Sequence, residues 1–359
     1  MTHWQKSKNT ALNYGRTKML RKSLFMTIAA ASFAVSITQA SPARAETTLE
    51  MAYMPIVPCS QLFVMEGMGW TKKAGLNLKL TRFPNGPAIV QAVASGKMDT
   101  MCFGIGPAMV TRGKGIKLKV VAAGIVEQIG VIAQGELVTY FQKYKGAQAL
   151  RQFAKDKGRK PKIASFPKGS VPDTVTRHWL IEMLKMDLNE VELIGMGASR
   201  VQQALLSRSV DAAGILEPIM TIVESKLKDA KVVVRADGMM PNQPGSTIAV
   251  REKVLAKHRD AIVKLVELHI KATELLLKNP EKAVPHVKKF IAKGLLSDDV
   301  VLKALKSPSS NFRADPSSIL ESTTYMANFQ KTKKIKTKVS TDGLFDTSIY
   351  KEAKSNLGK

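Results

Sequence analysis

The sequence predicts an α/β protein that is built from two similar lobes. Short apolar strands alternate with helices from Leu49 to Ala123, and the same alternation restarts at Lys162 and continues to Arg235. From Ser246 onward the chain reads as almost entirely helical. Because strands that alternate with helices in this way form largely parallel sheets, we expect one such sheet in each lobe and a helical C-terminal extension.

Length and composition agree with this fold class. The chain has 359 residues, of which 45% are hydrophobic and 23% are charged. These values exclude a disordered or fibrous protein, and the length fits about two domains. Two cysteines are too few for a disulfide scaffold or a four-thiolate metal site.

The first 45 residues have the pattern of a cleavable signal peptide. They contain seven basic residues and no acidic ones, and the uncharged run Leu24–Ile37 follows Arg21-Lys22. Ala43 and Ala45 then offer a small-residue cleavage site. The apolar run is short for a bilayer, so we expect export to the periplasm and a mature chain that does not span the membrane, with an uncleaved anchor as the alternative. The pattern leaves open whether translation starts at Met1 or Met19.

Each element of the first block has its own signal. Leu76–Thr81 alternates strictly between apolar and polar residues, as a half-buried strand does. Pro87 stands where the first turn of a helix tolerates proline, and Ile89, Val90 and Val93 give that helix an apolar stripe. The other predicted elements are strands at Leu49–Met54, Met98–Phe103 and Leu118–Ala123 and helices at Ser60–Trp70 and Pro107–Arg112.

The second block follows a looser stretch at Gly135–Lys160, to which no strand or helix is assigned. Its predicted strands and helices alternate as in the first block. The strands are Lys162–Phe166, Val191–Ile194, Ala212–Leu216 and Lys231–Arg235, and the helices are Val171–Met186, Ser199–Ser207 and Pro218–Leu227.

The two blocks are similar in sequence as well as in pattern. A shift of 112 residues places Gln91-Ala92 on Gln203-Ala204, Ser95 on Ser207 and Asp99 on Asp211. The shared unit is a helix, a tight polar turn and a strand that begins just after the aspartate. Units of this kind recur in many α/β proteins, so chance is the alternative to an internal repeat.

The C-terminal third is predicted to return to the first lobe. Thr247–Val250 reads as a short strand, and added helices must cover a surface, for which the sheet of the first lobe is available. The predicted helices are His258–Lys278, Pro280–Lys293, Asp298–Lys306 and Pro316–Lys331. We therefore expect a signal peptide at residues 1–45, the first part of lobe one at 46–133, lobe two at 134–246 and the remainder of lobe one at 247–359.

An ordered series of short motifs resembles the nitrate/sulfonate/taurine-type substrate-binding proteins of ABC importers. The motifs are Leu49–Met54, Gly67-Met68-Gly69-Trp70, Lys73-Ala74-Gly75-Leu76, Ala94–Asp99, Gly104–Pro107, Lys168-Gly169-Ser170, Val210–Ala213 and Glu217-Pro218. The resemblance implies a two-lobed periplasmic-binding-protein type II fold with a ligand cleft between the lobes. It also implies hinges near Val131–Gln134 and Thr247–Val250, and an ABC permease with its ATPase as partners. Many members have Trp before Glu-Pro, where this chain has Leu216, so an aromatic ligand contact at that position is in doubt.

Candidate ligand-binding residues follow from the loops that end the strands. In open α/β sheets, ligands bind beyond the carboxyl ends of the strands, where helix N-termini attract anions. Five loops qualify by position, and they are Met54–Ser60, Phe83–Pro87, Phe103–Pro107, Phe166–Asp173 and Leu216–Pro218. The candidate residues are Tyr53, Met54, Cys59, Ser60, Asn85, Gly86, Gly104, Gly106, Phe166, Lys168, Gly169, Ser170 and Glu217.

The residue types suggest separate roles within this set. The glycines allow the backbone to approach a ligand, although ordinary tight turns explain them equally. Ser170 is expected to cap the following helix and to offer its hydroxyl, and Lys168 to supply charge, with a plain cap and a solvated lysine as the alternative. Glu217 either accepts a hydrogen bond from a ligand or is a carboxylate at the start of a helix, where the helix dipole stabilises its negative charge. Tyr53, Met54 and Phe166 are expected to border an apolar tail.

Other kinds of chemistry find little support in the sequence. His178, His258, His269 and His286 lie on predicted helices without partner spacing, so we expect no metal and no cofactor. Cys59 and Cys102 both fall near strand ends, and the sequence leaves open whether they form a disulfide. Lysine and arginine are scattered along the chain and aromatic residues make up only 6%, which argues against nucleic acid as a partner. The role of the basic run Lys331–Lys338 is left open.

The sequence therefore predicts a periplasmic, monomeric, non-enzymatic solute-binding protein that captures a small anion of the sulfonate, nitrate, taurine or carboxylate class by lobe closure. The alternatives are a neutral or heterocyclic solute such as a thiamine-pyrimidine precursor, an enzyme on the same fold, and a basic protein that binds membrane or nucleic acid.

Overall fold

Parallel strands joined by helices build two separate sheets in the computed structural model, which describes residues 46–336 and 338–358. The predicted signal peptide lies outside these residues. The strands are β1 Thr47–Tyr53, β2 Leu76–Arg82, β3 Thr100–Gly104, β4 Leu118–Ala123, β5 Ile125–Val126, β6 Gly130–Gln134, β7 Lys162–Ser165, β8 Glu192–Gly195, β9 Ala212–Ile215, β10 Ala230–Val234, β11 Ser246–Arg251 and β12 Asn311–Phe312.

The strand order differs from the chain order in both sheets. Among the described residues, the first sheet has the order β2-β1-β3-β11-β4, the second has the order β10-β6-β9-β7-β8, and β12 pairs with β5. Strands β1, β2 and β3 are parallel, as are β7, β8 and β9. Strand β11 runs antiparallel to β3 and β4, and β6 runs antiparallel to β9 and β10. Four strands of each sheet thus run in the same direction, as predicted, and one strand, β11 or β6, runs in the opposite direction.

Helices follow most of the strands, as the alternation predicts. They are α1 Ser60–Gly67, α2 Trp70–Lys73, α3 Gly86–Ala94, α4 Ile105–Gly113, α5 Glu136–Lys143, α6 Ala147–Lys157, α7 Val171–His178, α8 Ala198–Leu206, α9 Ile219–Lys226, α10 Glu252–Lys257, α11 Arg259–Lys278, α12 Pro280–Phe290, α13 Asp298–Leu305, α14 Leu320–Thr332 and α15 Thr347–Leu357. Helices α5 and α6 occupy the looser stretch at Gly135–Lys160, to which the sequence analysis assigned no element.

The internal repeat has a structural counterpart at the two aspartates. A side-chain oxygen of Asp99, just before β3, accepts a hydrogen bond from the backbone N–H of Glu50 in β1 at 3.1 Å. Asp211, just before β9, accepts one from the backbone N–H of Lys162 in β7 at 2.7 Å. Each aspartate thus ties the start of its strand to the neighbouring parallel strand, and the sequence match reflects the same local geometry in both sheets.

The chain passes between the two sheets twice, through residues 124–129 and 235–245. These crossing segments bond to each other, because Gly124 N–H donates to Ser246 O at 2.7 Å and Glu127 N–H donates to Gln243 O at 2.9 Å. The buried Gln243 side chain accepts from Ile129 N–H at 2.9 Å and donates to Ile129 O at 3.3 Å. The hinges that the resemblance implies near residues 131–134 and 247–250 lie within β6 and β11, next to the two crossing segments, and their positions stay a prediction.

The helices after β11 contact both sheets. Helices α11 and α12 pack against α1, and α15 packs against α11 and β4 of the first sheet. Helix α13 packs against α9, and α14 packs against α7. Helices α7 and α9 each follow a strand of the second sheet. The C-terminal region therefore covers the first sheet and also reaches across to the second.

His269 holds the end of β4 at the point where the chain leaves the first sheet. Its side chain is buried, and Nε2 donates a hydrogen bond to the backbone oxygen of Ala123 at 2.6 Å. Burial lowers the pKa of His269 to about 4, against the opposing effect of this hydrogen bond. The folded protein therefore keeps the imidazole neutral under conditions in which the unfolded chain binds a proton.

We expect this histidine to make the protein acid-sensitive. Stability from the depressed pKa is present above about pH 6.5 and is lost as the pH falls toward 4, by roughly 3 kcal/mol in total. The variant His269→Gln should lose less free energy of unfolding than the unmodified protein between pH 7 and pH 4.5, as measured by urea unfolding. The matched control is His258→Gln, at a partly exposed histidine. Equal losses in all three proteins would contradict the assignment.

Candidate ligand-binding site at the junction of the two sheets

Loops from the carboxyl ends of the two sets of parallel strands meet directly at their backbones. At Gly106, near the start of α4, a Cβ atom would lie 2.8 Å from the backbone oxygen of Gly169 and 3.4 Å from the backbone nitrogen of Val171. No side chain fits at that distance, so the close approach requires glycine. At Gly104 the same hypothetical atom would lie 3.2 Å from Val171 Cγ2.

Further contacts extend this junction on both sides. The backbone N–H of Val57 donates to Glu217 O at 3.3 Å, which joins the loop after β1 to the loop after β9. The oxygen of Pro84 lies 3.3 Å from the position that a Cβ on Gly197 would take. All five loops predicted from the sequence thus contain residues that lie against the opposite sheet's loops, as does the loop after β8.

A cavity of about 140 Å³ lies at the junction, between α3 and α4 on one side and the loop before α7 on the other. Its lining residues are Gly86, Pro87, Val90, Gln91, Pro107, Val110, Lys114, Lys168, Gly169, Ser170 and Lys336. We call it the junction cavity. It brings together Gly86, Lys168, Gly169 and Ser170 of the predicted set. Pockets for drug-sized ligands measure about 300–1,000 Å³, so this one suits a small solute.

Three lysines give the junction cavity a positive charge. Lys114 lies at the end of α4, Lys168 in the loop before α7, and Lys336 in the C-terminal region. Within residues 46–336 and 338–358, none of their ammonium groups lies within salt-bridge distance of a carboxylate. Pro87, Val90, Pro107 and Val110 supply apolar walls. A small anion with a short apolar portion matches this lining.

Local hydrogen bonds fix the loop that carries Lys168. The Ser170 hydroxyl accepts from Asp173 N–H at 3.3 Å and so caps α7, as predicted. One oxygen of the buried Asp173 carboxylate accepts from Gly169 N–H at 2.9 Å, and the other accepts from Arg177 Nε at 2.8 Å. Gly169 has a φ of 87°, which disfavours other residues there. The loop is therefore held rigidly in the shape that meets Gly106.

The loop after β2 is built by the same device. The Asn85 side chain accepts from Ala88 N–H at 3.0 Å and caps α3. Gly86 then lies against the Phe103 ring and Pro107, each 2.8 Å from the place of a Cβ. Asn85 acts in the structure as a helix cap, and whether it also contacts a ligand stays a prediction.

The three residues predicted to border an apolar tail are not among the residues that line the junction cavity. Met54 and Phe166 are among the largest fully buried side chains. The Tyr53 ring packs edge-on against Phe63, with centroids 5.7 Å apart, and against Phe290, at 6.3 Å. In the described residues the apolar lining of the junction cavity comes instead from α3 and α4.

Cys59 and Ser60 lie at the start of α1, on the first sheet's side of the junction. Cys59 Sγ donates to the backbone oxygen of Cys102 at 3.1 Å, and both cysteines are free thiols. The Ser60 hydroxyl is buried and has no hydrogen-bond partner among the described residues. Ser60 is therefore the one member of the predicted set whose buried polar atom still lacks a partner there.

Glu217 lines a different cavity. Its carboxylate accepts from Thr221 N–H at 3.1 Å, which is the helix-start alternative that the sequence left open. Burial raises the pKa of Glu217, and hydrogen bonds with Ser307 and Thr221 oppose the change. The surrounding cavity measures about 640 Å³ and lies between α9, β10 and α13, with Glu224, Asp299, Lys231, Arg235, Lys303 and Lys306 in its wall. Acidic and basic groups are mixed there, unlike in the junction cavity.

Sequence reasoning missed Gln91, Lys114 and Lys336. Gln91 extends the helical face that begins at Pro87, and Lys114 extends the face of Pro107 and Val110, so helical spacing from the predicted loops was a usable signal. Lys336 carries no such signal, because it lies far away in the sequence.

Comparisons with known proteins place the chain in a family. Residues 43–290 match the model of the NMT1-like family, so the chain belongs to it. A protein of Brucella abortus (strain 2308), named only as a binding protein, is 28% identical over 230 residues. That match covers 62% of this chain and 65% of the relative, so the chain spans slightly less than two thirds of the length of that relative.

Solved structures confirm the two-lobed periplasmic-binding-protein fold. The nitrate-binding protein of Synechocystis PCC 6803 superposes with a TM-score of 0.72 at 12% identity, covering 88% of this chain and 89% of that one. The ligand-binding component of an ABC-type import system from Staphylococcus aureus superposes with a TM-score of 0.68 at 19% identity, covering 86% of this chain and 99% of that one. At these identities the likeness concerns the fold.

Two further observations concern the part of the chain that the structure describes. No helix in it is both long and apolar enough to cross a membrane. No group of three or more histidine, cysteine, aspartate or glutamate side chains in it is arranged to hold a metal ion.

Replacing Gly106 should push the two sheets apart. A methyl group at this position overlaps the Gly169 carbonyl, and such overpacking costs about 1–3 kcal/mol. The variant Gly106→Ala should show a lower free energy of unfolding in urea and a larger radius of gyration by small-angle X-ray scattering. Gly358→Ala is the matched control, since a Cβ there meets only ordinary contacts. If both variants match the unmodified protein, the backbone contact is not what holds the junction.

The cysteines should remain unreactive thiols in the folded protein. Both are buried, and a hydrogen bond with Cys59 together with burial holds the pKa of Cys102 well above its ordinary value. We expect Ellman's reagent to modify neither cysteine in native buffer and both in guanidinium chloride. Dithiothreitol should leave the melting temperature unchanged. A fall in the melting temperature on reduction would reveal a disulfide instead.

Proposed function

We propose that the protein is the solute-binding component of an ABC importer and that it binds a small anion in the junction cavity by closure of the two lobes. The observation that carries the proposal is the set of Lys114, Lys168 and Lys336, which come from three separate segments and converge on one cavity without carboxylate partners among the described residues. Binding to loops of both lobes stabilises the closed state.

The family and the fold support the same role. The chain belongs to the NMT1-like family, and its structural neighbours include a nitrate-binding protein and a ligand-binding component of an ABC-type import system. Their roles extend to this chain as part of the proposal. It includes export to the periplasm, an ABC permease and its ATPase as partners, and a monomeric state. It also includes two lobes whose boundaries lie in the crossing segments 124–129 and 235–245, in place of the boundaries at 133 and 246 expected from the sequence, because β6 belongs to the second sheet. No catalytic step is assigned to the site.

The chemistry of the junction cavity favours an anion over the neutral heterocycle that the sequence left as an alternative. Nitrate, or the sulfonate group of methanesulfonate, presents several acceptor oxygens to the ammonium groups. All three lysines are exposed to solvent, so each should contribute modestly to the binding free energy, and added salt should weaken binding. The apolar walls leave room for a short carbon chain next to the charged group.

A thermal-shift screen tests the ligand class. Nitrate, methanesulfonate, taurine and acetate should raise the melting temperature, by about 4 °C at a hundredfold excess over Kd for the best of them. A neutral aminopyrimidine and choline serve as probes of the alternative class and of the opposite charge. The variant Lys168→Gln should weaken binding of the best anion about fivefold, since it removes one ammonium group from the cavity.

Lys231→Gln is the matched control for this experiment. Lys231 lines the larger cavity beside Glu217, so its replacement should leave anion affinity unchanged. If Lys231→Gln rather than Lys168→Gln weakens binding, the ligand occupies the larger cavity. A response to the aminopyrimidine alone would replace the anion with a neutral solute, and no response to any probe would leave the proposal without support.

A further inference from the structure

The chain beyond the family match folds back over the junction. Residues 330–336 and 338–346, which we call the C-terminal strap, comprise the last residues of α14 and the segment that leads into α15. The family model ends at residue 290, so the strap lies outside the shared pattern. It carries most of the basic run whose role the sequence left open.

One end of the strap is bound to the second lobe. The buried side chain of Gln330 donates to Thr174 Oγ1 at 2.7 Å and lies 3.5 Å from the backbone oxygen of Gly169. Lys333 forms a salt bridge of 2.8 Å with Glu182, which follows α7. These contacts hold the start of the strap beside the loop that carries Lys168.

The other end is bound to the first lobe by backbone hydrogen bonds. Ser340 N–H donates to Met109 O at 3.1 Å, and Val120 N–H donates to Leu344 O at 2.7 Å. The side chain of Arg112 donates to Asp342 O at 2.8 Å. The described residues of the strap therefore contact both lobes.

Lys336 lies between these two sets of contacts in the sequence. Its aliphatic carbons are the atoms nearest to the position that a Cβ on Gly169 would take. Lys336 also lines the junction cavity. The absence of a side chain on Gly169 leaves the space that the Lys336 stem occupies. Because the strap is fixed at both ends, the position of Lys336 is set by the closed arrangement of the two lobes.

We infer that Lys336 is an anion-binding residue of the junction cavity, so that the C-terminal strap completes a site whose other two ammonium groups, on Lys114 and Lys168, belong to the two lobes. This inference rests on the proposed function. Three like charges around one small cavity repel one another when it is empty, and an anion between them removes that repulsion. Removal of any one of the three should then weaken anion binding while leaving the fold intact.

The test compares two lysines of the same basic run by titration calorimetry with sodium nitrate and sodium methanesulfonate. Lys336→Gln should weaken binding of at least one of the two probes about fivefold at 20 mM ionic strength, and the difference should shrink at 300 mM. Lys331→Gln is the matched control, because Lys331 is exposed at the end of α14 and does not line the cavity. Lys336→Arg should retain most of the affinity, since it keeps the charge.

Each outcome has a separate meaning. If the unmodified protein binds neither probe, the anion proposal fails and the assignment of Lys336 fails with it. If the unmodified protein binds and Lys168→Gln weakens binding while Lys336→Gln behaves like Lys331→Gln, the junction site stands and the role of the strap is overturned. Equal losses of affinity in Lys336→Gln and Lys331→Gln would show that both lysines act only through the net positive charge of the protein, which would also overturn the inference. Circular dichroism and urea midpoints check that all variants fold.

Discussion

The double crossing of the chain between the two sheets is the constraint on which the rest of the structure depends. Residues 124–129 and 235–245 run side by side, and the buried Gln243 side chain satisfies both the N–H and the carbonyl group of Ile129. A buried backbone group that loses its partner costs about 1–3 kcal/mol, so the two segments are tied as a pair. This tie brings the carboxyl ends of both sets of parallel strands to the same place.

Backbone contact at the junction leaves recognition to the surrounding side chains. Gly106 and the Gly169–Val171 segment meet without side chains between them, and the side-chain oxygens of Ser170 and Asn85 accept the hydrogen bonds that cap α7 and α3. Three lysines line the cavity beside this contact, and the buried hydroxyl of Ser60, on the first sheet's side, has no partner among the described residues. Selectivity for charge is therefore expected at the margin of the junction.

The sequence predicted those features of the structure that depend on local residue patterns. Apolar alternation located the strands, and the match of Asp99 with Asp211 identified a hydrogen bond that both sheets share. It assigned no element at α6, although Ala147, Leu150 and Ala154 recur at the i, i+3, i+7 spacing of a helix and Leu150 and Phe153 are buried, so a usable periodic signal was present. The side-chain direction of Glu217 was undecided, because a carboxylate at a helix start satisfies the helix or a ligand equally well until its neighbours are known.

The place of Lys336 in the site could not be predicted from the sequence, because it depends on contacts between distant parts of the chain. Lys336 joins a loop that precedes it by more than 160 residues, and no spacing rule connects the two. The segment that positions it begins after the family match has ended, whereas the loops that form the backbone contact lie within that match. The shared pattern thus specifies two lobes that close on each other, and a segment outside it adds a third charge to the cavity. On this argument, the class of solute depends on residues that a family match to the two lobes does not specify.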